Sequence, residues 1–303
     1  MKVLIVCSKN SGRIAPFIVD QVEALEHSGL TCSYFCIEEK GIKGYLQSRS
    51  KFINKISEFK PDIVHAHYGL SGLLANTQRK VPVVTTYHGS DINLKYIFLL
   101  SRLNMFLSAF NIFVSQKNID KSEQKSNFAL IPCGVDTSLF YPMDKLEVRK
   151  HLGFAPNEKL ILFAGAFNNK VKNPELAQKA IRSFSDVRLL ELKGYTRMEV
   201  AMVMNAVDVC LMTSYTEGSP QFIKEAMACN CPIVSVPVGD VPEVIEGIEG
   251  CFLSSYEVTE LCEKIKFALD FKKKTIGRER ILKLSLDAKM IAKNISNVYK
   301  LLL

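Results

Sequence analysis

The sequence lacks the short signatures that mark several large classes of protein. Its nine cysteines include no Cys-x-x-Cys pair, so a disulfide framework is not indicated, and free thiols in a reducing cytoplasm fit better. No GxxxxGK[ST] phosphate loop is present, and no Ser-His-Asp arrangement follows a nucleophile elbow. These absences argue against a P-loop nucleotide hydrolase and against a serine hydrolase.

Long hydrophobic runs are also missing. The most apolar stretch, residues 96–114, is interrupted by Arg102, Asn104 and Ser108, so it is not expected to span a bilayer. The apolar run in the N-terminal MKVLIVCSKN is too short for the core of a signal peptide and predicts a first strand instead. We therefore expect a cytoplasmic protein.

Acidic residues are fewer than basic ones, and the excess is uneven. The net charge is +8, of which residues 1–150 carry +6. Residues 41–60 hold five basic residues and one acidic residue, interspersed with Leu46, Phe52, Ile53 and Ile56. A basic amphipathic helix can lie on an anionic membrane surface, as a peripheral protein on its inner face, or meet a phosphorylated partner. The alternative is a solvated helix whose apolar side faces the core. Nothing in the sequence indicates binding to nucleic acid.

Short β-branched runs alternate with stretches of helical period along the whole chain. Strands are predicted at VLIVCS, TCSYFCI, DIVHAH, PVVTTYH, NIFVSQ and ALIPCG, and then at LILFAG, RLLELKG, VCLMTS, PIVSVPV and CFLSS. Apolar strands that alternate with helices imply parallel sheets covered on both faces. We expect an α/β protein with two Rossmann-like domains, 1–145 and 146–285, facing across a cleft, and a C-terminal helix over 286–303.

One segment places two carboxylates around a predicted helix start. In TSYTEGSPQFIKEAMACNCP, a buried strand leads into a tight loop, with Ser219 predicted as N-cap and Pro220 as the first helical residue. Phosphate or sugar oxygens bind readily at such a helix N-terminus. Glu217 lies before the helix and Glu225 inside it, so each can accept hydrogen bonds from hydroxyls of one ligand. The alternative is that Glu217 stabilises the helix dipole and Glu225 is a surface residue.

The residues EGSPQFIKEAMACNCPIVSVPVGDVPEVI strongly resemble the E-x7-E segment of retaining glycosyltransferase family 4, whose members have the two-domain GT-B fold. PDIVHAHYGLSG, TTYHGSDIN and IPCGVDTSLFYP resemble further segments of that family, in the expected order. The C-terminal helix is similar to the one that crosses back onto the first domain.

This resemblance implies roles for residues that bind the sugar donor. Glu225 would hold the ribose hydroxyls, and Glu217 would contact a hydroxyl of the transferred sugar. The nucleobase would lie beside Gly194 and Tyr195, and backbone at Gly12 would approach the diphosphate, where a glycine leaves room. The backbone around the helix start would serve the sugar and diphosphate, through Gly218, Ser219, Gln221, Phe222 and Ile223.

The resemblance also implies that His88 lies near the donor sugar and phosphate, where its imidazole can donate to the reacting region. A strand-end histidine with satisfied hydrogen bonds is the alternative. His65 and His67 share a face of one strand, but no third ligand follows at zinc spacing. We expect the acceptor side to include Arg13, His67, Tyr68 and Asp91.

One departure from the family pattern concerns the diphosphate. The family often has Gly-Arg after the strand LILFAG and a lysine further on, but here the arginine position is Ala166. Lys172 matches the lysine, and Lys170 or Arg13 could supply the missing charge. Loss of one charge-assisted contact could weaken leaving-group stabilisation by roughly 2–3 kcal/mol. No Asp-x-Asp pair occurs, so we expect neither a metal ion nor another cofactor.

The resemblance implies a retaining, metal-independent glycosyltransferase that moves a hexose-type sugar from a nucleotide diphosphate sugar, preferably a UDP-sugar. The acceptor would be a glycan or a lipid-linked molecule in surface polysaccharide or glycolipid synthesis. Catalysis would rest on His88, Lys172 and Glu217. The alternatives are a nucleotide-sugar 2-epimerase and a nucleotide-sugar binding protein of weak activity.

Overall fold

The computed structural model describes residues 1–9, 12–39 and 41–303. The chain divides into two compact units, residues 1–134 with 288–303, and residues 135–287. Each unit has a parallel sheet with helices on its faces, as the alternation of apolar runs predicts. The eleven strands coincide with the eleven predicted runs, within a few residues at their ends.

Unit 1 is built on a six-stranded sheet of order β2-β1-β3-β4-β5-β6, in which every described pairing is parallel. The strands β3 and β4 are buried at every position, and the polar residues among them, such as His65 and Thr86, are buried as well. The strands are β1 (Lys2–Ser8), β2 (Thr31–Ile37), β3 (Ile63–His67), β4 (Val83–Tyr87), β5 (Phe110–Phe113) and β6 (Phe128–Leu130).

The helices of unit 1 connect these strands and cover the sheet. They are α1 (Pro16–His27), α2 (Gly41–Gln47), α3 (Arg49–Phe59), α4 (Gly69–Ala75), α5 (Ser90–Asn93), α6 (Lys95–Leu107) and α7 (Gln116–Ser122).

The basic segment 41–60 forms α2 and α3, and its apolar side belongs to the core. Phe52 is fully buried, and Ile53 and Ile56 pack against the same cluster as Leu4 and Val64. The side chain of Leu46 lies outside the described part of the structure. The segment therefore follows the alternative of a solvated helix with its apolar side inward.

Unit 2 is built on a five-stranded parallel sheet of order β11-β10-β9-β7-β8. The strands are β7 (Lys159–Phe163), β8 (Val187–Glu191), β9 (Val209–Met212), β10 (Ile233–Ser235) and β11 (Cys251–Leu253). Its helices are α8 (Lys145–Leu152), α9 (Pro174–Ile181), α10 (Arg197–Ala206), α11 (Gln221–Ala228), α12 (Val241–Ile245), α13 (Val258–Asp270) and α14 (Gly277–Lys283), with a 3-10 turn at Lys170–Lys172.

The boundary between the units lies earlier than the sequence predicts. The chain joins unit 2 at Val135 because Val135 and Phe140 are buried in the core of that unit. Arg278 fixes the same stretch by donating to the carbonyl of Phe140 at 2.8 Å.

The predicted C-terminal helix over 286–303 corresponds to α15 (Ala288–Lys300). Ser285, in a left-handed conformation, separates it from α14. Helix α15 packs on α1 within unit 1, and its Ile291, Ile295 and Tyr299 join the core around β1.

Candidate functional site

The carboxyl ends of β7, β9 and β10 lead into the loops that carry most of the predicted site of unit 2. Parallel strands bring these loops to one edge of the sheet, where ligands of such folds commonly bind. Helix α11 begins here at Gln221, after the loop that contains Glu217.

Lys172 and Glu217 form an ion pair at this edge. Nζ of Lys172 lies 2.6 Å from Oε1 of Glu217, and both side chains are partly exposed. Thr213 holds the lysine's turn by donating to the carbonyl of Lys172 at 3.0 Å. A side chain at Gly165 would approach Cγ of Lys172 to 2.9 Å, so the glycine leaves room for it. Two residues predicted from separate segments are thus brought together, 45 positions apart.

The N-terminus of α11 differs from the prediction. Pro220, not Ser219, is the N-cap, and proline supplies no side-chain acceptor to the first turn. Ser219 is turned away because its hydroxyl donates to Oδ2 of Asp240 at 2.7 Å and also accepts from Lys224. The prediction that Ser219 caps the helix is wrong. Asn230 does adopt the predicted left-handed conformation after the helix.

The residues Lys224 and Asp240 were not found by sequence reasoning. Lys224 is fully buried, and its Nζ lies 2.8 Å from Oδ2 of Asp240. A side chain at Gly239 would come within 2.4 Å of the carbonyl oxygen of Gly218. The loops before α11 and before α12 therefore pack closely. A buried lysine needs a partner of opposite charge, and that requirement is the signal that could have drawn attention to Lys224.

Glu225 is a buried residue, so the alternative of a surface position is wrong. Its Oε1 accepts from Nη1 of Arg197 at 2.6 Å, and only 4% of its side chain is exposed. Burial raises the pKa of Glu225 above its usual range, and Arg197 opposes that shift. The guanidinium of Arg197 also lies 4.7 Å from the centre of the Phe140 ring.

Arg197 also connects Glu225 to the loop predicted to lie beside a nucleobase. It is the first residue of α10, whose start is fixed by a capping box between Thr196 and Glu199. Gly194 precedes it with φ of +83° and is exposed, while Tyr195 is half-buried against the core of unit 2. Arg197 was not predicted as a site residue, although it follows the loop directly in the sequence and is basic.

The remaining cationic and glycine candidates, Lys170, Gly12 and Arg13, are exposed. Lys170 is exposed at the start of the 3-10 turn, and Ala166 is half-buried. In unit 1, Gly12 and Arg13 are exposed in the loop after β1. Gly12 has φ of +92°, and a side chain there would meet open space, so its conformation rather than its surroundings favours glycine.

Unit 1 contains a row of three stacked histidines at the carboxyl ends of β3 and β4. The rings of His65 and His67 lie 4.7 Å apart and those of His67 and His88 5.2 Å apart. Nδ1 of His67 shares a hydrogen bond with Nε2 of His88 at 3.0 Å. His65 is held by Thr86 and Tyr299, at 2.7 and 2.6 Å.

Burial keeps these imidazoles neutral. It lowers the pKa of His65 and of His88 to about 3 and that of His67 well below its usual value. The rings of Phe17 and Tyr68 lie 4.7 and 4.8 Å from that of His88 and add to its apolar surroundings. Tyr68 has φ of +73°, which is rare for a residue with a side chain and is characteristic of functional loops.

Asp91 is buried beside these histidines. Its carboxylate accepts from the backbone N–H groups of His88, Gly89 and Gly69, at 3.1, 2.9 and 3.3 Å. Burial raises its pKa to about 6, while these backbone donors oppose the shift. Asp91 thus fixes the loops that carry Tyr68 and His88, and its predicted contact with an acceptor stays a prediction.

Among the described residues, no group of three or more histidine, cysteine or acidic side chains could hold a metal ion. All nine cysteines are free thiols.

Two family models match the chain, one over most of unit 1 and one over most of unit 2. Residues 2–139 match a family model described as Glycosyltransferase Family 4, and residues 158–270 match one described as Glycosyl transferases group 1. The D-inositol 3-phosphate glycosyltransferase of Mycobacterium marinum is 25% identical over 250 residues, which are 66% of this chain. The chain spans about half the length of that relative, 53%.

Two solved structures share the fold over nearly the whole chain. Sucrose-phosphate synthase of Thermosynechococcus elongatus superposes with a TM-score of 0.84 at 17% identity, over 99% of this chain and 98% of that one. HepE of Anabaena, solved with UDP and glucose, superposes with a TM-score of 0.76 at 18% identity, over 99% of both chains. These similarities confirm the predicted α/β architecture of two Rossmann-like domains.

Proposed function

The chain belongs to the family 4-like glycosyltransferases of the GT-B fold, and from that premise we propose that it transfers a hexose-type sugar from a nucleotide diphosphate sugar. The observation that carries the proposal is the pairing of two carboxylates with two cations along one loop and helix. Glu217 pairs with Lys172, and Glu225 with Arg197.

The two pairs can serve different parts of one donor. Glu225 and Arg197, next to the loop at Gly194 and Tyr195, suit the ribose and base. Glu217 suits a hydroxyl of the transferred sugar, because each hydrogen bond to a charged group contributes about 1.5–3 kcal/mol. A diphosphate between them would meet Lys172 and the N–H groups that begin α11, with the first turn left uncapped by Pro220.

The reaction proposed for this site relies on placement and charge. As the bond between the sugar and the diphosphate breaks, negative charge grows on the leaving oxygen, and Lys172 stabilises it. The acceptor oxygen forms its bond to the anomeric carbon on the same face from which the diphosphate departs, so the anomeric configuration is retained, and the departing phosphate takes the acceptor proton. The neutral imidazole of His88 supplies a hydrogen-bond donor without adding charge. We propose UDP as the nucleotide, supported by the UDP found in HepE.

The acceptor proposed is a glycan or lipid-linked molecule in surface polysaccharide or glycolipid synthesis, made at the cytoplasmic side. Its support is the family and a Bacillus subtilis relative, 25% identical over 242 residues, that is named as a glycosyltransferase of teichuronic acid biosynthesis. No metal is assigned to the reaction.

A thermal-shift screen against UDP, GDP, ADP and CMP conjugates tests the donor first. Since a ligand that binds only the folded chain raises the melting temperature by mass action, a UDP-sugar should give the largest shift. A shift with none of them would contradict the proposal.

Variants at Glu217 test turnover. We expect Glu217→Ala to abolish transfer while nucleotide affinity is largely kept, and unchanged turnover would refute its role. Incubation with the UDP-sugar alone tests the first alternative, because an epimerised sugar would identify a 2-epimerase. The Glu217→Ala variant tests the second, because a binding protein would show no turnover for the substitution to abolish.

A further inference from the structure

Helix α6 in unit 1 is apolar on its outer side, and its inner side includes buried polar residues. The exposed side carries Tyr96, Leu99, Leu103 and Phe106, with 85%, 65%, 52% and 86% of these residues exposed. Their spacing of three and four places them in one stripe along the helix. A helix of a soluble domain ordinarily has the opposite arrangement.

The inner side of α6 holds two buried hydrogen-bonding residues, Ser101 and Asn104, next to Met105 and Phe98, which pack in an apolar cluster. Asn104 is fully buried and donates to Thr85 and Tyr87, at 3.1 and 2.8 Å, and accepts from Asn76 at 2.9 Å. Ser101 is buried against Gly69, where an added side chain would approach its Oγ to 2.2 Å. The network fixes the orientation of the helix, so its apolar stripe cannot turn inward without leaving buried polar groups unpaired.

The charges around the stripe are mainly positive. Helix α6 has no acidic residue, and both of its cations, Lys95 and Arg102, are exposed beside the stripe. Arg79 lies at its C-terminal end and donates to the carbonyl of Leu107 at 3.1 Å. Glu123 approaches Arg102 at 3.7 Å, but both are exposed, and such a pair is weak. Over residues 69–130 there are seven Lys and Arg against three acids, of which Asp91 is buried.

We propose that this stripe is a docking surface for an anionic lipid bilayer. Two exposed leucines, with an aromatic residue at each end of the stripe and cations beside it, match a helix that lies in the membrane interface. The described residues include no helix long and apolar enough to cross a bilayer, so the contact is lateral. The segment 41–60 does not supply this surface, because its Phe52, Ile53 and Ile56 pack in the core.

The chain has no tryptophan, so one introduced tryptophan reports on one position. Phe106→Trp should shift its emission to the blue and be quenched by brominated lipid when vesicles containing phosphatidylglycerol are added. Phe267→Trp, on an exposed aromatic of α13 in unit 2, should show neither change. An unshifted, unquenched signal at position 106 would overturn the proposal.

A paired substitution tests the stripe directly in the full chain. Leu99→Gln with Leu103→Gln should lower the vesicle-bound fraction at least tenfold at an unchanged melting temperature. The matched control is Leu146→Gln in unit 2, on a leucine that is 62% exposed, which should bind as the wild type does. Equal binding by the double variant and the wild type would overturn the proposal.

The same proteins distinguish two other occupants of the stripe, which are a bilayer without net charge and a second copy of the chain. Equal binding to pure phosphatidylcholine vesicles would contradict the anionic assignment. If light scattering shows that the wild type is a dimer and the double variant a monomer, and the wild type does not bind vesicles, then a second copy of the chain covers the stripe. Because these readouts measure binding and not turnover, they are independent of the donor assignment.

Discussion

The two units place different chemistry at equivalent edges of similar sheets. In unit 2, the carboxyl edge carries charges, and each carboxylate of the candidate site has a cation within 2.6 Å. In unit 1, the same edge carries imidazoles that burial keeps neutral. One site can exchange ionic partners with a charged ligand, whereas the other offers hydrogen bonds and ring surfaces without net charge.

This difference follows from how far the side chains at each edge are exposed to solvent. Lys172 and Glu217 remain partly exposed, so their attraction is moderate and a diphosphate can compete for the lysine. His67 and His88 stack within an aromatic and histidine cluster, where a positive charge would be poorly solvated. The contrast predicts that substitutions in unit 2 change ligand binding and turnover, and that pH acts on unit 1.

The largest effect expected from this comparison is a difference in kcat between variants of two lysines in the 3-10 turn. Lys172→Ala should lower kcat at least a hundredfold, because the leaving diphosphate loses a charge-assisted contact worth about 3 kcal/mol. Lys170→Ala, two positions away and exposed, is the control and should change kcat less than about threefold, since an exposed contact contributes about 1 kcal/mol or less. Donor-dependent release of UDP measures both. Equal losses would mean that Lys170 fills the place left by Ala166.

The next effect concerns the buried carboxylate of unit 2. Glu225→Gln keeps the shape but removes the charge that pairs with Arg197 and that is proposed to bind a ribose, so UDP affinity should fall roughly tenfold, or about 1.4 kcal/mol. Calorimetry with UDP measures this directly. Glu175→Gln, on an exposed residue of α9, serves as the control. Unchanged UDP affinity in Glu225→Gln would refute its role in binding the nucleotide.

The smallest effect is a pH dependence of stability in unit 1. The folded pKa values of the three buried histidines lie below 6.5, so between about pH 6.5 and 3 the unfolded chain binds more protons, and stability falls as the pH is lowered. Asp91 acts oppositely between about pH 6 and 4, because its folded pKa is raised to about 6. Three histidines outweigh one carboxylate.

A histidine variant measures one part of that slope. His67→Gln should reduce the loss of unfolding free energy between pH 7 and 6 by about 0.7 kcal/mol, the linkage value for one histidine whose pKa is near 6.5 in the unfolded chain and well below that value in the folded chain. His27→Gln on the exposed end of α1 should leave the slope as in the wild type. Denaturant unfolding at the two pH values measures it, and an equal slope in all three proteins would contradict the burial argument.

Much of the fold could be predicted because its signals are local. Apolar runs of five to seven residues predicted every strand. The packing of the C-terminal helix α15 on α1 joins segments that are far apart in sequence, and the tertiary structure decides it.

The candidate site could be predicted only in part. Glu217 and Glu225 were found from one segment and its family resemblance, and Lys172 from a second segment that resembles the same family. Arg197, Lys224 and Asp240 were not, because each acts through a partner 16 or more residues away in sequence. Ser219 was assigned to the wrong partner for the same reason, since Asp240 competes for the hydroxyl that a local pattern gives to the helix start.

The sequence by itself determined the alternation of strands and helices, the two parallel sheets and the family, since hydrophobic period and short motifs are properties of neighbouring residues. Only the tertiary structure decided which charges are paired, which histidines are neutral and which helix turns its apolar side outward. Those outcomes depend on burial and on contacts between distant segments, and neither is encoded in the spacing of nearby residues.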